Sequence, residues 1–501
     1  MTSPGTTAFC DSEQPVSDVS IFLDGLAKYA TPNYVKLEFA ISIDKKVILT
    51  MTLDGQSTSV SPLFTPPANW PVAGEYDLVV AGAGPGGFAA AIAAARAGVR
   101  VAIVDQAASP GGTATHSNCP HIMGVAYDGR QIVGGIADQL LRRLSQAGQA
   151  RMQKGVGDFE PEPLDRREIT RDAVASVNGL NLELSRMLEE NGVEQWFYTR
   201  IIGATTENHR VTALAVDPAE GPALLKGKFF VDATGDAHLA WRAGARVRVG
   251  RPDEVMTKTL IFDLDGAAEF DRVRVSQRFE QLHKEGKVPL AVQDRFMGFR
   301  CLAPGKIHVN YTATVGNALD SRELTRMDTA LRRQVEAGVA WFKSEFPEFK
   351  NACLAHVPDT IGLRAGRSAV GRETITQQDI DDNTPVAEPV GLGLRRYGDH
   401  GIQRFAAAWR KPVSGLRPIP WRTLIAGDFI NLGLAGRTIS CETKMITCIR
   451  YIAQCLATGQ AAGSGVALAL ADNSTLPELD YSRLASHLKA NGAILQVPDQ
   501  R

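Results

Sequence analysis

Apolar and polar residues alternate twice near the start of the chain. In "VKLEFAISI" the alternation sets Leu37, Phe39, Ile41 and Ile43 on one face, and "VILTMTLDG" does the same for Val47, Leu49, Met51 and Leu53. A period of two is the strand signature, and the polar "DKK" between the runs predicts a hairpin with one apolar face. "SPLFTPPANWPVAGE" then brings Pro62, Pro66, Pro67 and Pro71, a stiff extended linker in which helix is disfavoured. From Tyr76 the pattern changes: Leu78 to Ala81 form a continuous apolar run, a glycine turn follows, Gly87 to Ala97 read as an alanine-rich helix, and Val101 to Val104 as a second apolar run. Strands without alternation belong in a parallel sheet covered on both faces, so this segment predicts a βαβ unit.

Downstream, Ile132, Ile136, Leu140 and Leu144 fall at helical spacing, and "LTRMDTALRRQVEAGVAWFKSEF" predicts a long helix that stops at Pro347. "MTKTLIFDLDG" and "KIHVNYTAT" alternate like strands of a different, antiparallel or mixed sheet, and His308 in the second of them faces either a core or a cavity. "GKFFVDATGDAHLAWRAGA" is an apolar strand ending in Asp232, Thr234, Gly235 and Asp236, and "NLGLAGRTIS" is another ending at Gly436. No tandem repeat or low-complexity tract interrupts the chain.

A chain of 501 residues corresponds to roughly three domains at about 150 residues each. Its 44% hydrophobic and 22% charged residues are ordinary globular composition. With 54 basic and 55 acidic residues the net charge is -1, which gives no reason to expect a nucleic acid or an anionic membrane as partner. Seven cysteines, odd in number and never in a C-x-x-C pair, argue against a disulfide framework and a structural zinc, and we expect no metal. No apolar run reaches the roughly 18 residues of a membrane span, and the polar start "MTSPGTTAFCDSEQPVSD" lacks an export pattern, so a cytoplasmic location is expected.

The chemistry enters at "AGAGPGGFAAAIAAARAGVRVAIVDQ". Gly82, Gly84 and Gly87 stand in G-x-G-x-x-G spacing, and Asp105 ends the second strand. The first glycine makes the tight turn, the second removes the side chain that would block a pyrophosphate, and the third lets helix and strand pack closely. The helix N-terminus offers amides to phosphates, and Asp105 is placed to accept hydrogen bonds from an adenosine ribose. NAD and FAD both use such a unit. The paired Gly111 and Gly112 in "SPGGTATHSNCP" favour FAD, because they let a loop pass the pyrophosphate and run on toward a longer ligand. The glycine-bearing strand ends at Gly235 and Gly436 imply a cofactor domain assembled from discontinuous segments.

With these motifs, together with "IVGGIADQLL", "IGLRAGRSAVGRETIT", "PIPWRTL" and "TCIRYIAQCLATGQAAGSGVALA", the chain resembles the FAD-dependent oxidoreductases of the glutathione-reductase-like, two-dinucleotide-domain superfamily. Within it the chain is similar to a bacterial family distantly related to the fumarate reductase and aspartate oxidase flavoproteins. The resemblance runs from about Tyr76 to Leu470. It implies an α/β fold: a discontinuous Rossmann-like FAD-binding domain (71–254 and 416–501), an inserted α+β substrate domain (255–415) and a β-rich N-terminal extension with its linker (1–70). It places the ADP half of FAD on Gly82, Gly84, Gly87 and Asp105, with Gly112 and Thr113 near the pyrophosphate. Asp236 serves the pyrophosphate or ribityl region, and Gly436, Arg437 and Arg450 lie toward the flavin. Two positions depart from the family pattern: Ala365 stands where glutamate is usual, and "RYIAQC" replaces a proline-containing stretch.

A flavin carries the electrons itself, so the protein supplies a base and substrate contacts. His116, one residue beyond "GGTAT", is the candidate base or flavin contact, against the alternative of a hydrogen-bonded loop histidine; His121 and Cys119 follow close behind. Arg364 and Arg367 form a candidate clamp for a substrate carboxylate, or else internal ion pairs. Cys441 reads as a buried inert thiol near the cofactor. No second strand-glycine-helix unit offers a separate NAD(P)H domain. The reading is therefore an FAD-dependent oxidase or dehydrogenase that removes a hydride from a small organic molecule and passes electrons to oxygen or another acceptor. A flavin monooxygenase drawing on NAD(P)H or a partner reductase and a non-catalytic FAD-binding scaffold are the alternatives, and a homo-oligomer is compatible with each.

Overall fold

Strand pairing around the apolar run ending at Ala81 organises the chain. The computed structural model describes residues 37–41, 47–53, 56–59, 64–154, 158–159, 172–250, 256–289, 298–300, 305–395 and 415–497. Ile43, Pro62 and the first 36 residues of the N-terminal extension lie outside them. Contacts divide the chain into two units, Met1–Thr58 and Ser59–Arg501. In the first, β1 (Leu37–Ile41) pairs antiparallel with β2 (Val47–Leu53), Phe39 opposite Leu49, and β3 (Gln56–Ser59) follows antiparallel to β2.

In the second unit, β4 (Val72–Ala81) is exposed along its first half and wholly buried from Leu78 on. It leads into α1 (Pro85–Arg96) and then β5 (Val101–Val104), which lies parallel to β4. After α2 (Ile136–Gln146), β6 (Glu194–Trp196) adds to β5 in parallel, and the hairpin of β7 (Arg200–Glu207) and β8 (Arg210–Asp217) leads into β9 (Ala223–Asp232). β9 runs parallel to β4 on one edge; on the other it pairs antiparallel with β8 and, beyond that, parallel with a strand from near the chain's end. The sheet is thus parallel at its centre, with an antiparallel wing.

A separate antiparallel sheet is built from β10 (Phe262–Asp265), β11 (Gly298–Arg300), β12 (Ile307–Val309) and, after the 25-residue helix α3 (Ser321–Glu345), β13 (Cys353–His356). The Asp320 side chain caps α3, and Pro347 follows its end as the sequence predicts. Between helix and sheet lies a second hydrophobic core, in which Phe342 meets Tyr311 edge-on at 5.1 Å and Phe279 meets Tyr311 at 6.1 Å. Of the predicted helical row, Ile132 lies outside α2: Gly135, with φ +62°, caps that helix, and Ile132 bonds back to Val125 instead.

β14 (Leu432–Leu434) completes the main sheet, and α4 (Ile452–Ala471) packs along α1. A Cβ on Gly459 would lie 2.0 Å from the Gly86 carbonyl oxygen, and one on Gly463 2.1 Å from that of Ala90, so the two helices meet backbone to backbone. Among the described residues no helix is long and apolar enough to cross a membrane. The Gly463→Ala variant must push rigid backbone apart, and thermal melting is expected to show a loss of about 1–3 kcal/mol, the usual cost of overpacking.

Candidate functional site

The turn from β4 into α1 is fixed by sterics before any ligand is considered. Gly82, at φ +95°, donates its N–H to the Val104 carbonyl at 2.7 Å, and a Cβ there would strike the Ala233 backbone at 2.6 Å. A Cβ on Gly87 would lie 1.8 Å from the Gly82 carbonyl oxygen. Gly84 differs, because a Cβ there would meet nothing nearer than the Gly112 Cα at 4.0 Å. The space it leaves opens above the first turn of α1, which begins at Pro85 with no side-chain cap and no acidic residue, so its partial positive charge is unopposed by the protein. Asp105 braces this turn: its carboxylate accepts from Ala83 N at 2.7 Å and from Ala107 N at 2.9 Å.

A cavity of about 860 Å³ extends from here. Gly82, Asp105, Gly112, Thr113, His116, Asp236 and Arg437 of the sequence-derived candidates line it, as do Arg242, Thr360 and Ile361. Gly84 and Gly87 sit behind its floor in the turn, and Gly436, with φ +66°, packs on the start of α1 and donates to the Thr458 hydroxyl at 3.0 Å. The end of β9 shapes the far wall. The buried Asp232 carboxylate accepts from Thr234 N, the Thr234 hydroxyl and Ala240 N at 2.7 to 3.0 Å, and its burial pushes its carboxyl upward. Asp236 Oδ1 and Arg437 Nη1 are buried without a hydrogen-bond partner, 3.7 Å apart.

His116 donates from Nε2 to the Ser109 carbonyl at 2.8 Å and is held from behind by Thr360, whose hydroxyl bonds the His116 carbonyl. The adjoining Ser117 and Asn118 reach Ile361, Ile261 and Asp263, which tie the glycine loop to the second sheet. Arg364 and Arg367 have separate partners and form no common clamp. Arg364 donates to Thr257 O at 2.6 Å and approaches Asn310 Oδ1 at 3.4 Å, whereas Arg367 binds the Asp236 carbonyl and His238 Nδ1 and lies 4.3 Å over the Trp241 ring. The alternation of strand β-structure explains this, since Gly362 bridges to Thr259 while Arg367 begins a strand paired with Val249. Burial pushes the Cys441 and Cys455 thiols up to about 12, so both stay protonated.

The sequence reading missed Lys258 and Asp263. Lys258 is wholly buried, with Nζ on the Met256 carbonyl at 3.1 Å. Burial lowers its pKa to about 8, Arg364 and Arg437 push the same way, and Asp236 opposes them. Asp263 and His308, directly opposite each other on β10 and β12, are hydrogen-bonded at 2.8 Å. The only available signal was a charged residue set within an otherwise apolar strand. Arg450, predicted toward the flavin, has buried Nε and Nη2 atoms without hydrogen bonds and lies 5.2 Å over Tyr451. Among the described residues no cluster of three or more His, Cys, Asp or Glu is placed to hold a metal.

Residues 77–488 match the sequence profile described as FAD dependent oxidoreductase. The chain belongs to the FAD-dependent oxidoreductase family. Its cofactor is FAD, and the residues present fit it: the orphaned polar atoms of Asp236 and Arg437 lie in residues that line one cavity of suitable size, and behind its floor stand the space left at Gly84 and the uncapped helix. Over 162 residues the family member is 30% identical to Increased recombination centers protein 15 of Saccharomyces cerevisiae, which covers 32% of this chain and 29% of that protein. Solved structures with overall similarity include a geranylgeranyl bacteriochlorophyll reductase-like protein of Thermoplasma acidophilum (15% identity, TM-score 0.42, 83% of each chain). Others are an anhydrotetracycline hydroxylase of Streptomyces rimosus (16%, 0.42, 83% and 66%) and a p-nitrophenol 4-monooxygenase of Pseudomonas putida (11%, 0.42, 83% and 88%). These likenesses carry no inference about the reaction.

In this flavoprotein Gly84→Val is expected to fold, because its Cβ meets no close neighbour, and to lose FAD. Fluorescence titration of the apoprotein should show affinity weakened at least about tenfold, equivalent to about 1.4 kcal/mol, with an apoprotein melting temperature near that of the parent.

Proposed function

We propose that the chain removes a hydride from a small organic substrate and passes the electrons to oxygen or another acceptor. The observation that supports this reading is Arg437 beside Asp236: Arg437 lines the cofactor cavity, and its Nη1 atom is buried without a hydrogen-bond partner, 3.7 Å from Asp236 Oδ1. A buried guanidinium nitrogen left unpaired is costly, and an anionic group in the cavity would relieve it. Arg437 is thereby available to phosphate. Lys258 is buried outside the cavity lining, and its charge is felt by Asp236 and Arg437, which do line it.

FAD supplies a two-electron acceptor whose ring gains negative charge on reduction. The chain's part is to make that gain favourable. Fixed cations in a water-poor site do so without reorganising when the charge arrives. Arg364 also holds the backbone at Thr257, next to Lys258. Lys258 keeps its proton below about pH 8 and its charge is lost above it.

The direct test is an anaerobic absorbance titration of the FAD-loaded protein with NADH and NADPH, then with hydroxy acids, secondary alcohols, amino acids and amines, followed by air. Bleaching by an organic compound, with peroxide release on reoxidation, supports hydride removal with oxygen as acceptor. Bleaching by NAD(P)H alone replaces it with the monooxygenase or reductase reading, and a flavin that no metabolite reduces leaves the scaffold. A second expectation concerns the midpoint potential. Lys258→Met should lower it by on the order of 30 mV or more at pH 7, about a tenfold change in a two-electron equilibrium. The gap should close as the pH rises through about 8, where the parent's lysine loses its charge; spectroelectrochemistry at several pH values measures both.

A further inference from the structure

The paired strands β10 and β12 hold a polar group that the fold does not satisfy. His308 and Asp263 are buried, with 2% and 5% of their surface exposed. The His308 Nδ1 atom lies 2.8 Å from Asp263 Oδ1. Asn118 Nδ2 donates to the same oxygen at 2.9 Å, and Lys306 Nζ lies 3.2 Å from Oδ2. Burial alone would raise the Asp263 carboxyl, but the hydrogen bond from His308, the charge that His308 carries when protonated, the hydrogen bond from Asn118 and the charge of Lys306 hold it at about 2. An ionised carboxylate accepts only, so Nδ1 carries the hydrogen and the lone pair of a neutral ring lies on Nε2. That Nε2 atom is buried and has no hydrogen-bond partner.

A network serving only to join loop and sheet has no use for an unsatisfied nitrogen at its end, and burying one is unfavourable. An oriented imidazole with an unpartnered Nε2 is instead the arrangement of a general base held by a carboxylate. The groups around it come from both bodies of the site. Asn118 belongs to the segment that follows His116, and the His121 ring is centred 5.3 Å from that of His308. His356, exposed on β13, stands opposite Asp263 on the other side of the ladder. His116, by contrast, has its Nε2 committed to the Ser109 carbonyl.

We propose that His308 Nε2 is the base that takes the hydroxyl proton of a secondary-alcohol substrate, with Asp263 as its positioning residue. This rests on the hydride-removal reading above. As the carbon–hydrogen bond breaks, its electron pair and hydrogen pass to oxidised FAD. The oxygen–hydrogen bond breaks with its proton moving to Nε2, and the oxygen's electrons form the carbonyl. One alcohol and one oxidised flavin give one ketone, one reduced flavin and one protonated imidazole, whose charge Asp263 balances. An alcohol needs such a base because its hydroxyl proton is far too weakly acidic to leave unaided.

The test follows flavin bleaching under anaerobic stopped flow with the 2-hydroxy acids and secondary alcohols of the panel, in the FAD-loaded parent, His308→Gln, Asp263→Asn and Asp263→Glu proteins. His308→Gln should retain FAD and be reduced by dithionite as the parent is, while its reduction by alcohol slows about 10²–10⁴-fold and loses the ascending limb of its pH profile. Asp263→Asn should slow reduction and shift that limb, and Asp263→Glu should restore part of the rate. A parent bleached by an alcohol, with a His308→Gln protein bleached as fast and with the same pH profile, overturns the proposal while the hydride-removal reading stands. A parent bleached by amines or amino acids alone overturns the alcohol assignment, and a parent bleached by no organic compound overturns both readings.

Discussion

The site depends on one constraint: four parallel strands must end together. Ala81 pairs with Val104 on one side and with Asp232 on the other, and Asp232 pairs with Leu434, so β5, β4, β9 and β14 stop within one register of each other. Their carboxyl ends make a single ledge. The glycine turn, Asp105, the Asp232 loop and Gly436 each leave it, and a slip of one residue in any pairing would turn every side chain of that strand to the opposite face. The buried, continuous apolar strands make such a slip prohibitive, which is why loops of high polar content can be held there.

On that ledge the protein places charge that its own residues leave incompletely balanced. Asp232 shows the opposite treatment within the same loop: three donors satisfy it, and it serves the backbone. Asp236, two turns of loop away from the strand, retains an unsatisfied oxygen beside Arg437. The contrast separates scaffolding from ligand-facing groups more clearly than residue type does. The same distinction sets Arg367, engaged on both sides and stacked on Trp241, apart from Arg450, whose guanidinium has buried nitrogens without partners.

What the sequence made legible follows from the range of the forces involved. The Gly82–Gly87 turn was readable because the clash that demands glycine at Gly87 comes from Gly82 itself, and the parallel strands because burial on both faces leaves an uninterrupted apolar run. The end of α3 was readable from Pro347 alone. The start of α2 was not, since Ile132 continues the apolar period by coincidence while Gly135 breaks the helix. Lys258 and His308 look like ordinary strand residues until distant segments bury them. Their chemistry depends on Asp236, Arg364, Asp263 and Asn118, none of which is near them in sequence except Asp263, five positions from Lys258. Arg364 and Arg367 show the reverse: neighbours in sequence, they follow a bridge and a strand that lead to different partners.

The backbone-to-backbone seam between α1 and α4 has a consequence for how the protein is made. The nucleotide turn precedes by several hundred residues the helix that braces it and the strand that completes its ledge, so both are synthesised well after it. Domains fold from the N-terminus as synthesis proceeds, and contacts between distant segments form late. The early βαβ unit must therefore wait with one side of α1 uncovered, an apolar surface exposed for most of translation. Cofactor loading therefore has to await those later segments, because the turn that would hold the pyrophosphate is not braced until they arrive.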